Sequence, residues 1–317
     1  MVSRAAIQPL LSVVIPTRDR PDTLAAVVRA LGPFVASGKI EGIVVDDGSD
    51  GEAARRLDQM AAPSGIRILR QEHRGPAAAR NLGIRAARAS WVALIGDDTV
   101  PEPGWGGEIL RCAADDPAGL DTNGWVGHVR WHPRLRVSPF MSWIHGNGLQ
   151  FGFGLIDDPD DLPFNFLYTS NVLLPRHLLE QEPFDEGFLF AAYEDTELGY
   201  RLQDRGLRLR YLPGAVVAHD HPTTFTSFAA RQRLAGASAV HFRRLHPELH
   251  WFVRLPAEGP PPSSPPTRVA ALTVVARALE PLPVKLPRLW TATLDGHFAR
   301  GAADAYRLAD HFGFEED

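Results

Sequence analysis

Strand and helix alternate through the first hundred residues at a spacing that few folds accommodate. Leu10–Ile15 is a short apolar run rich in β-branched residues, and Pro16 ends it. Pro21 and Asp22 open a helical stretch, Thr23–Leu31, with its apolar residues on one side. Ile43–Val45 is a second buried strand, stopped by Asp46, Asp47, Gly48 and Ser49. Helix Glu52–Met60, strand Ile66–Leu69, helix Ala77–Ala89 and strand Trp91–Ile95 follow, the last closed by Gly96-Asp97-Asp98. Short strands without polar alternation predict a parallel sheet covered on both faces, built from βαβ units.

The rest of the chain is less regular. Asp115–Phe190 is rich in Gly, Pro and aromatic residues and reads as a loop-rich region that shapes a pocket, with a few mixed strands. Glu194–Gln203 reads as a helix, Arg208–Leu212 and Ala215–Val217 as strands, and Phe225–Leu245 as a helix with a basic face (Arg231, Arg233, Arg243, Arg244). A Pro-rich stretch is a stiff, extended linker. Helices Val269–Leu279 and Trp290–His311 lie beyond it, separated by Pro281–Pro287. The expected division is a catalytic and ligand-binding domain over 1–222, a helical segment packing on it over 223–258, the linker 259–267 and a helical extension over 268–317.

Composition narrows the functions. A formal net charge of −5 argues against a chain built mainly to bind nucleic acid, and no nucleic-acid partner is expected. A single cysteine, Cys112, offers neither an internal disulfide nor a zinc cluster, which makes a reducing cytoplasm the default. The N-terminal segment reads as the approach to a strand, not as a signal peptide, because charge returns at Arg18. No apolar run approaches the roughly 20 residues of a membrane-spanning helix.

Chemistry-bearing residues fall where such a sheet would gather them. In open parallel sheets, ligands sit beyond the carboxyl ends of the strands. Thr17 and Arg18 follow the first strand, Asp46 and Asp47 close the second, and Asp97 and Asp98 close the fourth. Taken singly, each acidic pair also suits a turn; together they point to one rim. Carboxylates there suit magnesium or manganese bridged to a phosphate. Asp98 is the best-placed metal ligand, and His219 or His221, after the strand Ala215–Ala218, would complete the set and favour manganese. Glu194 and Asp195 open a helix, where they serve equally as dipole partners or as a general base facing a cleft.

Six segments in order resemble family 2 glycosyltransferases of the GT-A fold. They are SVVIPTRDRPDTL, IVVDDGSD, GPAAARNLGI, WVALIGDDTVPEPGW, TSNVLLPR and FDEGFLFAAYEDTELGYRL, spanning roughly Leu10 to His221. The resemblance implies an α/β, Rossmann-like mixed sheet, mainly parallel and flanked by helices, with a helical C-terminal extension. It also implies a nucleotide-diphospho-sugar donor, uridine being the commonest base, a Mn2+ or Mg2+ cofactor and inversion at the anomeric carbon. Position by position, Pro16, Thr17, Arg18, Asp46, Asp47, Arg80, Asn81, Asp97 and Asn171 would meet the donor. Asp98 with His219 or His221 would meet the metal, and Asp195 with Glu194 would supply the base.

Gly96 departs from the family pattern, which commonly places an acid there. That puts a ribose or second metal contact in question. A membrane-channel processive synthase is not expected. The acceptor stays open among a glycan, a lipid-linked molecule and a small metabolite, and the chain leaves room for a homodimer and for peripheral contact with the cytoplasmic membrane face. Competing readings are a nucleotidyltransferase, for which Pro16–Pro21 is a poor phosphate loop, and a degenerate sugar-nucleotide-binding module, which Gly96 favours and intact Asp98, Glu194 and Asp195 oppose.

Overall fold

A computed structural model of the chain describes residues 8–120, 122–260 and 265–311. The reading of the extreme N-terminus and the centre of the Pro-rich linker lie outside these residues. In chain order the elements are β1 (Leu11–Thr17), α1 (Pro21–Ala36), β2 (Ile40–Asp47), α2 (Gly51–Ser64), β3 (Arg67–Gln71), α3 (Pro76–Ala86), β4 (Trp91–Ile95), β5 (Thr99–Pro101) and α4 (Trp105–Asp115). They continue with β6 (Asn123–Trp131), α5 (Pro139–Gly146), β7 (Asn171–Pro175), α6 (Arg176–Gln181), α7 (Glu194–Asp204), β8 (Arg208–His219), α8 (Phe225–Leu245), α9 (Pro266–Leu279) and α10 (Pro287–His311).

The chain divides into two compact units. The first holds residues 8–135, 155–186 and 194–221 and carries one eight-stranded sheet in the order β3-β2-β1-β4-β7-β6-β8-β5. β3, β2, β1 and β4 are parallel, as the repeated strand–helix spacing predicts. β7 then runs antiparallel to β4 and to β6, β6 is parallel to β8, and β5 is antiparallel to β8. The sheet is therefore mixed. β1, β2 and β4 are buried almost throughout, which is why their sequences carry no polar alternation.

Two strand boundaries differ from expectation, each for a physical reason. Pro16 does not end β1: it pairs with Val45, and the pairing of β1 with β4 stops at Val14. A strand with one side released from pairing tolerates a residue that lacks an N–H. The two strands expected over 208–217 are one, with a register shift between Gly127 and His128 of β6 absorbing the turn-like Pro213 and Gly214.

The second unit gathers residues 136–154, 187–193 and 222–311 of the described chain. Its centre is α8 crossing α10. A Cβ added at Gly301 would stand 1.7 Å from the Arg233 carbonyl, and one at Gly236 would stand 2.0 Å from the Phe298 carbonyl, so the two backbones touch. Phe140 of α5 packs edge-on against Phe225, Phe228 and Trp290. This grouping differs from the expected division at 222/223 and 267/268, since α5 and residues 187–193 join the C-terminal helices. The expected basic face of α8 is not continuous either. Arg233 pairs with Asp304, and Arg243 is buried and donates to the carbonyls of Pro256 and Gly259.

Candidate functional site

Strand order reverses between β1 and β4, since β2 and β3 lie on one side and β7 on the other. Beyond Val14 and Leu94 these two strands diverge, which is the kind of crevice where α/β sheets hold ligands. Thr17, at the tip of β1, donates through Oγ1 to Asp97 Oδ2 at 2.8 Å. Arg20 spans the acidic pair: Nη1 donates to Asp97 Oδ1 and Nη2 to Asp98 Oδ2, both at 2.8 Å. The same Nη2 lies 3.2 Å from His221 Nδ1, and His219 Nε2 lies 3.6 Å from Asp98 Oδ2. His219 also packs on the Trp131 ring, with centroids 5.3 Å apart.

Electrostatics separates the two neighbouring carboxylates. Burial, and then the charge of Asp98, pushes Asp97 up to about 6 against the opposing pull of Arg20 and Thr17. Burial would raise Asp98 as well, but His219 and then Arg20 outweigh it and hold that carboxyl well below the usual range. Negative charge is thus concentrated on Asp98, beside a histidine. Gly96 fits this arrangement, because a Cβ there would stand 3.0 Å from Asp98 Oδ1.

The acids of β2 are saturated by local bonds. Asp46 accepts from the Ser49 N–H and from Arg70 Nε. Asp47 accepts from Gln71 Nε2 and from the backbone N–H groups of Arg74 and Gly75, and meets His73 Nδ1 at 2.8 Å. It thereby fixes the loop between β3 and α3. Beside these residues is an open cleft of about 530 Å³, lined by Asp46, Ser49, Arg70, Gln71 and Glu72 among others. Asp19 takes a left-handed backbone (φ 54) and joins this loop to the first: its N–H donates to Ser49 Oγ, and its Oδ1 accepts from the Asp50 N–H. Pro16 is half-buried, and exposed Arg18 lies 3.5 Å from Asp19.

A third group sits between α3 and α7. Arg80 Nη1 donates to Glu194 Oε1 at 2.8 Å, with both side chains buried and the guanidinium over the Phe184 ring. Burial, and then the charge of Asp195, pushes Glu194 up to about 7 despite Arg80. Asp195, half-buried, accepts from the Thr196 N–H at the first turn of α7.

Two residues expected at the donor are committed elsewhere. Asn81 bonds both the N–H and the carbonyl of Phe184, as well as Glu186. Asn171, 0% exposed, accepts from Trp105 Nε1 and donates to the carbonyls of His128 and Ala215. Its amide groups are spent locking β7 to β6, β8 and α4. In this structure Asn171 thus fastens the sheet, and Asn81 fixes the 184–186 turn.

Among the described residues no three metal-ligating side chains form a ready cage. Asp98 and His219 come nearest, with His221 next to both Arg20 and the His219 ring. One carboxylate and one imidazole fit a magnesium or manganese ion that completes its shell with substrate phosphates. The guanidinium of Arg20 already stands as a cation on both carboxylates, which shows that the position accepts positive charge. Arg20 and His73 are the residues that sequence reasoning passed over. The signal for Arg20 was present: a second base two residues after Arg18, held next to Pro21 at the start of α1.

The fold and its switch-point crevice define a class, the GT-A type of α/β fold. Solved structures that share it include mannosyltransferase PcManGT from Pyrobaculum calidifontis, in complex with GDP-Man and Mn2+ (TM-score 0.53, 18% identity, 97% of this chain and 88% of that one), and residues 1–349 of S. aureus TarS (TM-score 0.51, 17% identity, 97% and 93%). At sequence level the chain belongs to glycosyl transferase family 2, whose family pattern it matches over residues 12–173. It is 30% identical over 241 residues to the pre-mycofactocin glycosyltransferase of Mycobacterium tuberculosis, covering 75% of this chain and 48% of the relative. It is 29% identical over 238 residues to the chondroitin synthase of Escherichia coli, covering 67% and 35%. The chain thus spans about half the length of these curated relatives, or less.

Proposed function

We propose that the protein transfers a glycosyl group from a nucleotide-diphospho-sugar to an acceptor hydroxyl, with inversion and with Asp195 as general base. The observation that carries this reading is the convergence of Thr17, Arg20, Asp97, Asp98 and His219 on the crevice between β1 and β4, joined through Asp19 to the cleft beside β2 and β3. The cleft takes the nucleoside, with Asp46 holding Arg70 at its wall and Asp47 shaping the loop that borders it. Asp98 and His219 would hold a Mn2+ or Mg2+ ion, which supplies Lewis-acid stabilisation to the departing diphosphate. Arg20 gives the crevice a further positive group close to where that charge develops.

At the other side of the chemistry, Glu194 is neutralised by Arg80 and by its own raised proton affinity. Asp195, half-buried in the first turn of α7, takes the acceptor proton as the hydroxyl attacks. The family and a GT-A likeness to a GDP-Man-bound mannosyltransferase favour a sugar-nucleotide donor, and uridine and guanosine diphosphates are the first to try.

A thermal-shift series of nucleoside diphosphates with and without manganese tests cofactor and base together. The expected result is a metal-dependent rise in Tm with one base. Incubation with the matching sugar nucleotide should then release the nucleoside diphosphate. Release of pyrophosphate would instead support a nucleotidyltransferase, and binding without turnover would leave a sugar-nucleotide-binding module.

A further inference from the structure

Helix α9 is apolar on both sides, and only one side is used. Val269 and Ala276 are buried, Val269 lies against Gly296 of α10, and Thr273 Oγ1 meets His297 Nε2 at 2.9 Å. The opposite side is open: Val274 is 68% and Val275 47% exposed, and Ala270, Ala271 and Ala278 are exposed with them. At about 100° per residue these five positions cover an arc of about 140° around the helix. Thr267 is the one polar residue inside the arc, and exposed Arg268 and Arg277 stand at its two margins. The turn after the helix continues the pattern, with Leu282 (47%) and Val284 (41%) exposed next to exposed Lys285 and Arg288.

The stretch is also locally basic. Residues 266–290 hold four cations (Arg268, Arg277, Lys285, Arg288) against one carboxylate, Glu280, in a chain of net charge −5. Glu280 is turned inward, where its Oε1 accepts the Phe225 N–H at the start of α8. The surface is therefore a shallow apolar strip bordered by bases. Arginine stems lie along such a strip while their heads reach outward to phosphate.

We propose that the exposed side of α9, together with the Leu282–Arg288 turn, docks the protein on the surface of an anionic lipid bilayer. An apolar strip edged by bases is the form taken by helices that lie in the plane of a membrane interface. No helix among the described residues is long and apolar enough to cross a membrane, so the contact is in-plane. A symmetric pair of copies using this strip would bring Arg268 and Arg277 of each close to those of the other, which opposes self-association through it. Leu120 and Leu155 are exposed singly, with no base beside them in the sequence, as is ordinary for a protein surface.

The test is flotation of the full chain with vesicles of phosphatidylcholine alone or mixed with phosphatidylglycerol. The expected result is binding to the mixed vesicles only, weakened by salt. The double change V274E/V275E should abolish it with an unchanged circular dichroism spectrum. R268Q and R277Q should each weaken it by about fivefold, the worth of one base near an anionic surface. K285Q/R288Q, in the turn and at the start of α10, leaves α9 untouched and should weaken binding as well. Equal binding to neutral vesicles, or binding indifferent to V274E/V275E, overturns the proposal. So does sedimentation showing a dimer that V274E/V275E dissociates while vesicle binding is absent, which would assign the strip to a second copy.

Discussion

Arg20 and Asp195 are the residues on which the proposed chemistry turns. Arg20 already satisfies the Asp97–Asp98 pair, so a divalent ion must compete with its guanidinium for the same carboxylate oxygens. Charge-assisted bonds of this kind are worth about 1.5–3 kcal/mol. Arg20→Ala should therefore raise manganese affinity in the absence of nucleotide by about tenfold, read by isothermal calorimetry; weaker binding would mean that Arg20 helps to hold the ion rather than to replace it. Asp195→Asn should lower transfer by about 10²–10⁴-fold, the usual contribution of a general base, and leave the donor dissociation constant nearly unchanged. Equal loss of both would remove Asp195 from that role.

At the scale of elements, side chains that looked like ligand contacts turn out to hold strands and helices together. Asn171 joins β7 to β6, β8 and α4 through three bonds made in a fully buried place. Asn171→Leu would strand the Trp105 N–H and two carbonyls, each costing about 1–3 kcal/mol if left unpaired. A large fall in the denaturant midpoint is expected, with donor affinity of the folded protein retained; a loss of donor affinity at intact stability would restore Asn171 to the binding site. In the second unit, Gly301 is set by the closeness of α8 and α10, and the nearest atoms to an added Cβ are backbone. Overpacking of this kind costs about 1–3 kcal/mol or more where nothing flexible can yield. Gly301→Ala should accordingly lower the midpoint of chemical unfolding, whereas Gly107→Ala, with open space around its Cβ position, should not.

For the whole molecule, the buried acids set the dependence of stability on pH. Asp97 is raised to about 6 and Glu194 to about 7, each by burial first. Both lie above their unfolded values near 4. Between those limits the native state binds more protons than the unfolded chain, so stability falls as pH rises from about 4 to about 7. The Tm of the metal-free protein should be lower at pH 8 than at pH 5.5 by a few degrees, and Glu194→Gln should flatten the profile. Glu41 acts in the other direction and lower on the scale. Burial would raise it, but Ser12 and Arg88 outweigh burial and hold it below its ordinary value. Its contribution is present above about pH 4.5 and disappears on further acidification, outside the window in which Asp97 and Glu194 titrate.

The amino-acid sequence by itself determined the parallel half of the sheet, the start of α7, the limits of α8 and the family. Those depend on local periodicity, on turn residues and on short ordered motifs, all of which lie along the chain. It also marked Thr17, Asp97, Asp98 and His219, which the tertiary structure brings together at one crevice. The mixed half was less legible, because β6 and β7 are separated by a long irregular stretch and their pairing is a long-range choice. Which polar residue bonds to which was decided only in three dimensions. Asn81 and Asn171 have side chains as suited to a ligand as to a backbone carbonyl, and only the packed surroundings show that backbone atoms claimed them. Arg20 acquired its importance the same way, since the carboxylates it bridges lie almost eighty residues further along. Hydrophobic period is a property of a segment; the partner of a buried polar group is a property of the fold.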